Sequence, residues 1–130
     1  MKTRTLFTID FVGALTAGSI YLLIYQSLTQ LLSLPSTIVD LQIIANFAYG
    51  SYGAVLFVAR IQRTSFYRFL VYVNFSYALL IGVSGLVQLN YDRPMGAALL
   101  VGEGLFIAIL ARLEHRSLTS SASSPDKAER

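Results

Sequence analysis

Glu103 lies between Gly102 and Gly104, in an otherwise apolar run from Ala97 to Ala111. A charged carboxylate at the centre of a bilayer costs about 2.5–3.5 kcal/mol on insertion scales. The side chain must therefore face protein or water. Its chemistry there is to take up and release a proton or a cation. The structural alternative is a protonated glutamic acid bonded across a helix bundle. The flanking glycines would let another helix or a ligand come close.

Groups able to meet Glu103 recur at helical spacing. Gln42, Asn46, Tyr49, Gly50 and Gly53 share one stripe, and Asn74, Tyr77, Ile81, Ser84 and Gln88 share another. Asp10, Ala14, Ala17, Tyr21 and Ile24 form a third by the same three-and-four rule. The expected intramembrane polar site is Glu103, Asn46, Asn74, Tyr49, Tyr77 and Gln42. Asn, Gln, Ser and Tyr also glue transmembrane helices, through bonds of about 0.6–2 kcal/mol, so glue and ligand pocket are competing readings. Asn46-Phe47-Ala48-Tyr49 echoes Asn74-Phe75-Ser76-Tyr77. Four residues are too few to establish an inverted repeat.

Other chemistry is sparse. Cysteine is absent, which removes thiolate nucleophiles and disulfides. The single histidine, His115, cannot build a metal site alone. No nucleophile–base pair, phosphate loop or paired-carboxylate motif is visible, and no cofactor is implied. Asp10 reads as an acid near a helix N-terminus, where negative charge is favoured, or as a partner for Arg68 or Arg112.

Hydrocarbon must position these residues. Of 130 residues, 55% are hydrophobic and 13% charged, about half the charge of a soluble domain. Apolar segments span about 9–34, 37–59, 65–89 and 95–113, each long enough for the roughly 20 residues that cross a bilayer. Ten-residue alternating strands are missing, so the fold class is all-α, a transmembrane four-helix bundle. Lys2 and Arg4 precede the first segment, which is too long for a signal-peptide core and is expected to remain as a span. Thr37 with Asp40, Thr64 or Ser65, and Asp92 are expected helix caps, and Pro94 suits a first turn. Residues 1–116 form the expected transmembrane domain, and serine-rich 117–130 a disordered cytoplasmic tail.

Lys2, Arg4, Arg60, Arg63, Arg68, Arg112, Arg116, Lys127 and Arg130 lie at the ends and in the middle connection, against Arg93 alone elsewhere. The positive-inside rule then puts both termini in the cytoplasm, and short connections give an up-down-up-down order. The net charge of +3 is explained this way without nucleic acid. Gly13, Ala14, Ala17, Gly18, Ala98 and Gly102 are the expected helix-packing positions, by small-xxx-small spacing.

Ile9-Asp10-Phe11-Val12-Gly13-Ala14-Leu15, Pro35, Asn74 with Tyr77, Gly102-Glu103 and Leu113-Glu114 resemble a group of small four-helix integral membrane proteins of bacteria. The resemblance implies that architecture and an inner-membrane location, and no activity. Three functions compete. One is binding or transport of a small molecule or ion around Glu103, with a homodimer expected for a transport path. Another is a structural or regulatory subunit of a membrane complex. The weakest is an enzyme acting on lipid or quinone.

Overall fold

The computed structural model describes residues 3–61 and 63–122. All regular structure in them is helical: α1 Thr3–Leu23, α2 Tyr25–Gln30, α3 Ser36–Val58, α4 Thr64–Leu89 and α5 Pro94–Ala122. Four helices are long and apolar enough to cross a membrane, over Arg4–Leu23, Ser36–Val58, Thr64–Leu89 and Pro94–Ser120. Their outward faces are apolar. Val58 is 79% exposed and Leu79 70%, whereas Gln42, Asn46, Asn74, Gln88 and Glu114 are buried. Polar inside and apolar outside is the arrangement that lipid solvation selects.

The middle helices start and stop within a residue of expectation, and the outer two do not. The first segment begins earlier, at Thr3, and bends at Ile24 (φ −101°, ψ 19°). The backbone ladder continues through the bend, with Ile24 N–H bonding Ile20 O and Leu28 N–H bonding Ile24 O. The last helix runs past Leu113 to Ala122, so residues 117–122 are helix, not tail. Leu118 explains this: it is buried against Phe7, Leu56, Leu70 and Val71, and docking an apolar side chain holds the added turns. Lys2, Gln62, Lys127, Arg130 and the rest of the expected tail lie outside the described residues.

The expected caps are also corrected. The N-cap positions of α3 and α4 are Pro35 and Arg63, with no side-chain cap bond at either. Asp92 sits in a left-handed turn (φ 53°) two residues before Pro94. The carboxyl-terminal end of α3 is better secured. Arg60 takes the left-handed conformation (φ 53°), and Ile61 N–H bonds Leu56 O at 3.1 Å. Ile61 also packs against the cluster containing Leu56, completing a Schellman motif with its usual apolar contact.

The bundle consists of two tight pairs, α1 with α3 and α4 with α5. Glycine sets both. In the first, Gly18 faces Asn46 and Phe47, Gly50 faces Leu15, and Gly53 faces Phe11, an antiparallel register. In the second, a Cβ on Gly104 would stand 2.9 Å from Ala78 O and 3.0 Å from Gly82 N, and Gly85 abuts Leu100 and Val101. Of the expected packing residues, Gly18 packs within the chain. Gly13 and Gly102 have open space where a Cβ would project, and Ala98 is exposed. The spacing identified a small-residue face but not which helix it meets.

Gly104→Ala is expected to lose about 1–3 kcal/mol of stability, because the obstructing atoms are backbone. Gly102→Ala is expected to be neutral or slightly stabilising. Unfolding of both purified variants in mixed micelles checks this; equal behaviour of the two would refute the assigned register.

Candidate functional site

Glu103 lies about ten residues into α5, at mid-span by a rise of about 1.5 Å per residue. Three donors reach it, one from each of the other spans. Tyr21 Oη on α1 donates to Oε2 at 2.6 Å. Gln42 Nε2 on α3 donates to the same oxygen at 2.5 Å. Tyr77 Oη on α4 lies 3.5 Å from Oε1. Gln42 is fully buried and its Oε1 has no protein donor. Leu28, Leu34, Val39, Ile81 and Leu100 close the bundle beyond this cluster, with Tyr21 and Tyr77 packed against them.

A second polar cluster, which the sequence reading did not anticipate, centres on Asp10 and Glu114. Tyr49 Oη donates to Asp10 Oδ2. Asn74 Nδ2 reaches Asp10 Oδ2 at 3.0 Å, Tyr49 Oη at 2.8 Å and Glu114 Oε2 at 3.4 Å. Glu114 is fully buried, and its Oε1 has no protein donor. Two carboxyl groups thus share one amide, from helices whose residues lie 104 positions apart in the chain. Asp10 is not a first-turn acid, because α1 begins at Thr3 and helix-end electrostatics fade beyond the first turn. Its partners are Tyr49 and Asn74; no ion pair joins it to Arg68 or Arg112 among the described residues.

The six expected site residues therefore divide. Glu103, Gln42 and Tyr77 form one cluster, joined by Tyr21. Asn74 and Tyr49 serve the other. Asn46 bonds neither carboxyl: its Nδ2 donates to Gln42 O, one turn back on its own helix, at 2.9 Å. The signal for Tyr21 and Asp10 was present, since both fall on the first helix's polar stripe. Glu114 carried no comparable signal, because the helix was expected to stop at Leu113.

Between the clusters lies a cavity of about 280 Å³. Asp10 and Glu103 both line it, as do Tyr21, Tyr49, Asn46, Asn74 and Tyr77. Gly13, Ala14 and Ala17 leave the space on the α1 side, and Phe106, Ile107 and Leu110 wall it on α5. It sits just below the usual range of small-molecule sites, about 300–1,000 Å³, and has their mix of apolar wall and few polar groups. No group of three metal-ligating side chains occurs among the described residues. The chemistry available is proton exchange at carboxyl groups and hydrogen bonding or charge pairing with a bound guest.

Asn74→Leu is expected to cost about 1–3 kcal/mol, since it strips a donor from two buried carboxyls at once. Combined with Glu114→Leu, the losses should be less than additive, because both changes remove the same contact. A double-mutant cycle by unfolding in mixed micelles measures this; strict additivity would show that the two side chains do not interact. No protein-family model matches the chain, nor does any curated protein or solved structure.

Proposed function

We propose that this is a small multi-pass integral membrane protein that binds or transports a small molecule or ion at the interior site around Glu103. The observation that carries the reading is that Glu103 borders a cavity while donors from three other spans hold it. Bonds that served only to glue helices would be expected in a packed seam. An ionisable group inside a membrane is by default a group with a task.

The proposed topology is up-down-up-down with both termini cytoplasmic, in a bacterial inner membrane. Clustering of Phe7, Leu56, Leu70 and Leu118 supports it, since residues from near both chain ends and the middle connection meet there. The bias of Lys and Arg toward that end supports the orientation, and the resemblance noted above supports the membrane. The natural absence of cysteine permits a direct check. A single cysteine at Ser65 should resist an impermeant thiol reagent added to intact cells, and one at Asn90 should react. The reverse pattern would invert the proposal.

Glu103 should react with a membrane-soluble carbodiimide in lipid nanodiscs, and peptide mass mapping should find the N-acylurea on the α5 peptide. Glu103→Gln should lose that adduct, with Glu114, the other carboxyl of α5, told apart by fragment ions. An unreactive Glu103 in the wild-type chain would return the cluster to a packing role, as in a structural or regulatory subunit.

A further inference from the structure

The cavity has an acidic group at each pole and, among the described residues, no basic one in its lining. Asp10 and Glu103 border it, and none of the described arginines, nor His115, does so. The groups facing Glu103 are Tyr21 from α1, Gln42 from α3 and Tyr77 from α4. Those facing Asp10 are Tyr49 from α3, Asn74 from α4 and, through that amide, Glu114 from α5. All but Glu114 are neutral donors. A buried carboxylate with no internal counter-charge is costly unless a proton or an external cation neutralises it. Aromatic faces suit such a guest, and Tyr21, Tyr49, Tyr77 and Phe106 all line the space.

Apolar clusters close the bundle at both ends, around Leu56 and Leu70 at one and around Ile81 and Leu100 at the other. Helices of different pairs pack far less closely than partners within a pair, and α1 and α5 flank one such seam. Three lining residues there are also exposed on the flank: Ile9 (52%), Gly13 and Phe106 (66%). All three lie inside helices long and apolar enough to cross a membrane, so in a bilayer this flank would face hydrocarbon.

From this geometry we infer that the cavity takes a small organic cation with an apolar body, admitted from the lipid between α1 and α5 and held in exchange for a proton on Glu103. This rests on the proposed site at Glu103 and specifies its ligand class. In the exchange, the carboxylic acid gives its proton to water as the ammonium group takes its place, so charge in the cavity is conserved.

Benzyltrimethylammonium is a suitable probe, with neopentylbenzene as its uncharged carbon isostere. In nanodiscs of zwitterionic lipid, corrected for empty discs, the cation should bind saturably, with one molecule per chain. The isostere at equal concentration should not displace it. Affinity should rise with pH by up to about tenfold per unit while one proton leaves per cation. Glu103→Gln should weaken binding at least tenfold. Gly13→Leu, whose side chain would enter open space at the mouth, should slow association at least fivefold.

Displacement by the isostere, or pH-independent binding by the wild-type chain, would overturn the cation assignment, and neither result depends on a variant folding. An unchanged association rate in Gly13→Leu would overturn the lateral route. Absence of cation binding while carbodiimide still modifies Glu103 would remove the ligand class and leave the site standing. Failure of both would remove the site as well.

Discussion

A carboxyl group inside hydrocarbon needs hydrogen-bond partners, and Glu103 finds one on each of the other three spans. This requirement organises the bundle. Lipid offers no hydrophobic drive for helix association, since its tails are as apolar as leucine. Directional bonds and close packing must do the work instead. The Tyr21, Gln42 and Tyr77 contacts fix the rotation of α1, α3 and α4 about their own axes. Rotating any one of them would turn its donor away and leave a polar group to lipid, at a cost of several kcal/mol. Asp10 and Glu114 repeat the logic near the other end, through one shared asparagine.

Packing explains why space remains between these clusters. Close approach is concentrated inside each helix pair, where Gly50 and Gly53 receive Leu15 and Phe11, and Gly104 meets the backbone of α4. Few comparable contacts join one pair to the other. The pairs are bridged mainly by long polar side chains and closed at the ends by the Leu56–Leu70 and Ile81–Leu100 clusters. Small residues at 13, 14 and 17 leave the middle unfilled.

The legible parts of this arrangement were those set by local rules. Length and hydropathy fixed four helices, and the three-and-four spacing correctly put Gln42, Asn46 and Asn74 on buried faces. Three things depended on contacts between distant segments and could not be read locally. The added turns of α5 form because Leu118 docks on Phe7 and Leu70. The division of one expected site into two depends on which helices pair closely. The Asp10–Glu114 association joins residues 104 positions apart, and no local spacing says that the two meet. Small-xxx-small spacing likewise identified Gly18 and Gly102 equally, though only Gly18 meets a neighbouring helix.

The polar interior is difficult to explain by stability alone. Gln42 Oε1 and Glu114 Oε1 are buried without protein donors, and each such atom costs about 1–3 kcal/mol. The cavity adds lost dispersion contacts along its walls. Apolar side chains of similar volume in place of each whole cluster, donors included, would remove these costs, and buried ionic groups replaced in this way often leave a protein equally or more stable. A helix bundle needing only cohesion has simpler means, as the glycine contacts of α4 with α5 illustrate. Neither orphaned oxygen belongs to a residue that lines the cavity; each sits one side chain behind it, on a group that bonds Glu103 or Asn74. The same side chains that hold the four helices in register, Glu103, Tyr21 and Tyr77 among them, also border the space left between them, so cohesion and cavity rest on one set of groups.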